Sequence, residues 1–114
     1  MKQKNEVLPG TLNLMVLKTL EALGPLHGFG IARRIEQISA NGIQLNQGTI
    51  YPALLNLEQM RWIKSKWGVS ENGRRAKYYA ITPAGRKQLS AEEENWRRTS
   101  EMMTRFLEPS EGTL

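Results

Sequence analysis

The sequence contains no cysteine and no aspartate, and it has a single histidine, His27. Without cysteine there is no disulfide, no thiolate nucleophile and no sulfur-ligated metal. One imidazole cannot assemble the roughly three or four donors a metal centre needs, so His27 is expected to cap or pack. The glutamates fall mostly in one charge-balanced stretch near the C-terminus, which leaves little from which to build acid–base chemistry. We therefore expect neither an enzyme nor a cofactor. No run approaches the roughly 20 apolar residues of a membrane span, and the N-terminus lacks the apolar core of a signal peptide. The expectation is a soluble cytoplasmic protein with no membrane partner.

What is present is basic charge, unevenly placed. The chain of 114 residues is short enough for one domain with a modest core, so self-association would help it. Its net charge of +5 and pI near 9.8 favour a polyanionic partner. Arg61, Lys64, Lys66, Arg74, Arg75 and Lys77 are opposed within their stretch by one acid, Glu71, whereas residues 86–108 hold five basic and five acidic residues. The excess is local, as a nucleic-acid-binding stripe requires.

The stretch from Asn46 to Ile63 organises the rest. Ile50, Ala53, Leu54 and Leu57 follow helical spacing and predict an apolar stripe. Asn46 is a good N-cap, and the outward start of the helix carries Gln47, Gly48, Thr49 and Tyr51, groups that suit DNA bases and phosphates. Pro52 cannot donate to the carbonyl of Gly48, which predicts a distorted first turn or a later start.

Before this helix, residues 1–10 read as a flexible arm ending in a Pro9-Gly10 turn. A first helix follows from Thr11, with Leu12, Met15, Val16, Leu20 and Leu23 on one stripe and Gly24-Pro25 as its stop. Leu14 and Leu17 lie off that stripe and predict a second contact, with the C-terminal helix. Leu26 to Gly30 bends into a second helix with Ile31, Ile35 and Ile38 inward, Arg33, Arg34 and Glu36 outward, and Phe29 in the core. Asn41-Gly42 is a turn, and Ile43-Gln44-Leu45 a candidate short strand.

After it, Ile63, Ser65, Trp67 and Val69 alternate with Lys64, Lys66 and Gly68. Ser70 to Gly73 turns the chain, and Arg75, Lys77, Tyr79 and Ile81 alternate on the return. Three helices and a hairpin are the order of a winged helix-turn-helix, mainly α with a small β-hairpin, here spanning residues 11–82. Thr82-Pro83 begins a last helix over 83–107, where Leu89, Trp96 and Met103 repeat every seven residues and Phe106 adds a turn. Glu93/Arg97, Glu94/Arg98 and Glu101/Arg105 are candidate i,i+4 pairs. A second copy of the chain is the natural cover for the Leu89, Trp96, Met103 and Phe106 stripe, which makes this a dimerisation helix and implies a palindromic site; the alternative is a helix folded back on Leu14 and Leu17 of its own first helix, leaving a monomer. Pro109 ends it, and residues 108–114 read as a disordered tail.

Several blocks together resemble the PadR family of bacterial transcriptional regulators. They are Leu8-Pro9-Gly10-Thr11-Leu12, Leu26-His27-Gly28-Phe29-Gly30-Ile31, Gly48-Thr49-Ile50-Tyr51-Pro52-Ala53-Leu54 with Leu57-Glu58, and Gly73-Arg74-Arg75-Ala76-Lys77-Tyr78-Tyr79 followed by Thr82-Pro83-Ala84-Gly85. The single C-terminal helix is similar to that of the compact subfamily. Phe29 departs from the pattern, where Tyr is more usual. The resemblance implies a homodimeric repressor of a palindromic duplex operator, sometimes released by a small aromatic or amphipathic effector, for which Trp96 is the candidate contact. In this reading Gln47, Gly48, Thr49 and Tyr51 meet bases or nearby phosphates, while Arg74, Arg75 and Lys77 hold the backbone or enter the minor groove. The alternative is a winged helix used as a protein-interaction module, which the basic hairpin argues against. An RNA-binding role lacks its ladder of exposed aromatics.

Overall fold

The structure, a computed structural model, describes residues 9–108, so the expected arm over 1–8 and tail over 109–114 lie outside the described residues. Four helices and three strands follow in the order α1 (Pro9–Leu23), β1 (Leu26–His27), α2 (Gly28–Ile38), α3 (Gln47–Gln59), β2 (Ile63–Val69), β3 (Arg75–Ile81) and α4 (Pro83–Leu107). The strands form one antiparallel sheet in the order β1-β3-β2. Leu12, Val16, Leu17 and Leu20 of α1, Ile31 and Ile35 of α2, Ile50, Leu54 and Leu57 of α3, and Ile63, Tyr79, Ile81 and Leu89 form one core. The winged helix is the observed architecture.

Local chemistry explains the boundaries. α1 starts at Pro9 and not Thr11, so Pro9 and Gly10, expected in the arm, are its first turn. A proline there forgoes only an amide that has no partner in any helix. The helix ends where the Gly24 amide donates to the Leu20 carbonyl (3.0 Å) and Gly24 takes a left-handed φ of 80°. His27 caps α2 by accepting the Gly30 amide on Nδ1 at 2.9 Å, the cap role expected of it. It also belongs to β1, whose Leu26 and His27 pair with Tyr79 and Tyr78.

The third strand is therefore Leu26-His27 and not Ile43-Gln44-Leu45. Two amides of that segment are taken by side chains of α2 and its C-cap: Leu45 donates to Glu36 Oε2 (2.9 Å) and Ile43 to Ser39 Oγ (3.2 Å). Glu36 thus turns toward the loop, and Leu45 is buried beside it. Leu23 and Ile38, expected inward, are exposed, because each ends its helix beyond the reach of the core. Phe29, expected in the core, is 63% exposed.

α3 begins at Gln47, with the Thr49 and Ile50 amides both donating to the Asn46 carbonyl at 3.0 Å. Pro52 moves this start no later. The missing amide belongs opposite the Gly48 carbonyl, which sits on an exposed residue and so is not left unpaired in the core. Met60 and Arg61, the latter at φ 63°, then turn the chain into β2. Thr82 ties this corner to α4: its hydroxyl donates to the Arg61 carbonyl (2.8 Å) and accepts the Gly85 amide (2.9 Å). Leu89, placed in the sequence on the dimerisation stripe, is 1% exposed and belongs to the core of its own chain. Glu93 crosses to Lys18 on α1 (3.3 Å), and Arg97 takes Glu94 at i,i+3 (2.7 Å), in place of the expected Glu93/Arg97 and Glu94/Arg98 pairs. The contact between α1 and α4 predicted from Leu14 and Leu17 is present.

Candidate nucleic-acid interface

Asn46 sets the exposed start of α3. Its Oδ1 accepts both the Thr49 amide (3.1 Å) and the Thr49 hydroxyl (3.2 Å). Gln47, Gly48, Thr49 and Tyr51 are all exposed, as the sequence predicts. They do not share one face. At about 100° per residue Thr49 and Tyr51 stand on opposite flanks of the helix. Tyr51 lies against the first turn of α2, where a Cβ on Gly28 would come within 2.9 Å of its ring. The buried Ile50, Leu54 and Leu57 put Gly48, Pro52, Leu55 and Gln59 on the outermost line. The helical spacing of the sequence already places Leu55 and Gln59 on this line, although the polar residues of the first turn are the more conspicuous feature.

The hairpin carries its cations on two faces. Residues paired across an antiparallel ladder share a face. Val69↔Arg75, Trp67↔Lys77, Ser65↔Tyr79 and Ile63↔Ile81 form the side that runs into the core, and Lys64↔Ala80 and Lys66↔Tyr78 the other. The basic run of the sequence is thus split. Arg75 lies over the Trp67 ring at 4.9 Å. Lys77 is drawn toward α3 by Glu58, 3.6 Å away, and Glu58 also accepts the Ser65 hydroxyl. Arg74 stands exposed at the turn, which Ser70 closes with its amide donating to the Arg74 carbonyl (2.7 Å). Burial, then the Glu58 carboxylate and the Tyr51 phenol, raise the Tyr79 hydroxyl above its ordinary 10.0.

Between the start of α2, Tyr51 and the hairpin runs an open groove of about 1080 Å³. Its lining includes Arg33, Arg74, Arg75 and Lys77 with one acid, Glu71. Phe29 stands beside it with Arg33 over its ring at 5.8 Å and His27 stacked at 6.3 Å. Phe29, Arg33 and Trp67 carry no signal of this place in the sequence, because α2 and the hairpin are brought together by β1 and by contacts between α2 and β3 across some forty residues of chain. Four cations around a concave channel suit a phosphodiester strand, and the helix flank beside it suits base edges. Among the described residues no cluster of His, Cys, Asp or Glu could hold a metal, and no helix is long and apolar enough to cross a membrane.

On the other side, Trp96, Met102, Met103, Phe106 and Leu107 are exposed along α4. Trp96 borders a shallow pocket of about 340 Å³ with Leu14 and Ser100. A second, apolar groove of about 460 Å³ lies between α1 and α2, lined by Met15, Leu23, Ile35 and Ile38 with Lys18 and Arg34.

This fold and this surface define a winged-helix DNA-binding protein. Residues 16–91 match the transcriptional regulator PadR-like family, and the chain belongs to that family of non-enzymatic, DNA-binding regulators. A transcriptional regulator from Clostridium thermocellum is 29% identical and superposes with a TM-score of 0.81, over 91% of this chain and 100% of its own. A PadR family transcription regulator from Clostridium difficile is 31% identical with a TM-score of 0.72, over 84% of this chain and 97% of its own. An uncharacterized protein of Lysinibacillus sphaericus is 26% identical over 105 residues, 92% of this chain and 95% of its length.

Proposed function

We propose that this regulator is a cytoplasmic repressor that binds a palindromic duplex operator as a homodimer. The observation that carries the DNA surface is the exposed, Asn46-capped start of α3 beside a groove with four cations and one acid. Gln47, Gly48, Thr49 and Tyr51 meet the major groove and its edge, while Arg74 and Arg75 hold phosphates of the flanking backbone. Lys77 contributes charge from within its pair with Glu58.

Dimerisation uses the far half of α4. Trp96, Met103 and Phe106 form the exposed part of the stripe, extended by Met102 and Leu107. The apolar groove between α1 and α2 offers a seat for this segment from a second copy, with Arg34 at its edge to meet the acids of that segment. Two copies related by a two-fold axis present their α3 helices to successive major grooves about 34 Å apart. The half-exposed Trp96 beside Leu14 supports an effector site for a small aromatic or amphipathic molecule, as the family resemblance implies.

Duplex titration across a salt series, with sedimentation of the same samples, tests this reading. A dimer whose log affinity falls steeply with log salt, at about −0.9 per phosphate neutralised, is the expected result. A flat salt response, or tight specific binding by a monomer, overturns it.

A further inference from the structure

The outward line of α3 has a chemical character that no single residue reveals. Its buried side is fixed by Ile50, Leu54 and Leu57, so Pro52 and Leu55 lie near the centre of the opposite side. Leu55 is 58% exposed, an apolar side chain on the part of the helix that faces out. Over Gln47 to Gln59 there is no Arg or Lys, the residues that make the commonest contact to guanine O6 and N7. The acid of this helix, Glu58, is held by Lys77 and Ser65 and is not free to take a cytosine amine.

Thr49 adds a direction. Its amide fixes Asn46 Oδ1 as an acceptor, so the Thr49 hydroxyl 3.2 Å from that oxygen must donate to it. What Thr49 Oγ presents outward is then lone pairs only. Such a group accepts from an exocyclic amine and has nothing to offer a phosphate oxygen. Gln47, also exposed, carries the donor and acceptor that pair with adenine N6 and N7.

We propose that α3 reads A·T base pairs, packing Leu55 and Pro52 against thymine 5-methyl groups, with Thr49 accepting an exocyclic amine of a neighbouring base. The inference rests on the assignment of α3 to the major groove. The methyl is what separates thymine from every other base edge in that groove, and an apolar side chain is the group that rewards it. Asn46 acts as a positioning residue, holding the Thr49 hydroxyl in its accepting orientation.

The test begins with selection of binding sites from a random duplex library by the wild-type protein. Each thymine of the selected half-site is then replaced singly by deoxyuridine, which removes only the methyl. One or two positions should lose about fourfold in affinity, the worth of burying one methyl-sized group. Leu55→Ala should weaken the thymine duplex by a similar factor and bind the thymine and uracil forms equally at one of those positions. Thermal unfolding checks that this exposed substitution leaves the fold intact. Half-sites dominated by G·C, or uracil duplexes bound as tightly as thymine ones throughout, overturn the inference while DNA binding stands. Failure to enrich any sequence overturns the DNA reading itself, and this inference with it.

Discussion

Gly85 admits no side chain. An ideal Cβ there would lie 2.0 Å from the Trp62 carbonyl oxygen and 2.8 Å from Ile81 Cγ1. The Trp62 carbonyl is fixed because it also accepts the Thr82 amide at 3.0 Å, so it cannot move aside without opening the joint between β2 and α4. Gly85→Ala is expected to cost about 3 kcal/mol or more, the upper range for overpacking, as a fall in the urea midpoint. Gly28 makes a contrasting case. The nearest atoms its Cβ would meet belong to the far end of the Tyr51 side chain, which can swing away. Gly28→Ala should therefore change stability little but displace the Tyr51 hydroxyl and weaken DNA binding. A large stability loss with unchanged affinity would show that Tyr51 is packing and not contact. Nothing in the sequence around Gly85 or Gly28 marks which glycine meets backbone and which meets a side-chain tip. That distinction depends on residues more than twenty positions away.

At the scale of elements, the helices were legible and the smallest strand was not. Leu12, Val16 and Leu20, or Ile50, Leu54 and Leu57, announce their helices because one buried stripe repeats several times. β1 is two residues long, shows no alternation, and pairs with Tyr78 and Tyr79 some fifty residues on. Its absence from the sequence reading also hid the groove, since β1 brings Phe29 and Arg33 beside the hairpin. The hairpin was legible as two strands, but its cations read as one stripe until the ladder assigned faces. From that assignment Arg74→Ala and Arg75→Ala should each reduce the salt slope of binding by about one. Lys77→Ala should reduce it less and also lower stability, because it leaves Glu58 with Ser65 alone; a full unit of slope lost with stability unchanged would make Lys77 a free phosphate contact. The same face carries Tyr79, whose raised folded pKa favours its neutral form. The unfolded chain releases that proton first, so the contribution is intact below the unfolded value near 10.0 and is lost as pH rises through the higher folded value. Tyr79→Phe should flatten this part of the alkaline decline in urea midpoints measured between about pH 9 and 11.

For the whole molecule, the question is what covers the far half of α4. The chain extends 61 Å along its longest axis, and beyond Leu89 the helix leaves the core. Lys18–Glu93 holds its middle to α1, but Met102, Met103, Phe106 and Leu107 remain exposed. Four large apolar groups on two turns lose little by burial and gain roughly 25 cal/mol for each Å² removed from water, which favours a second copy over solvent. Removal of everything after Gln88 would be an ambiguous test, because Leu89 belongs to the core and its loss unfolds the domain. Met103→Glu with Phe106→Glu is cleaner, since both side chains are exposed in the single chain and their replacement leaves the core untouched. The double variant should keep its helical signal and unfolding midpoint at low concentration, sediment as a monomer, and lose operator affinity steeply. Affinity for short random duplex should fall much less, because each subunit keeps its α3 and hairpin and loses only the simultaneous engagement of two half-sites. A variant that stayed dimeric would move the interface elsewhere. One that became monomeric yet bound the operator as tightly as before would sever dimerisation from recognition.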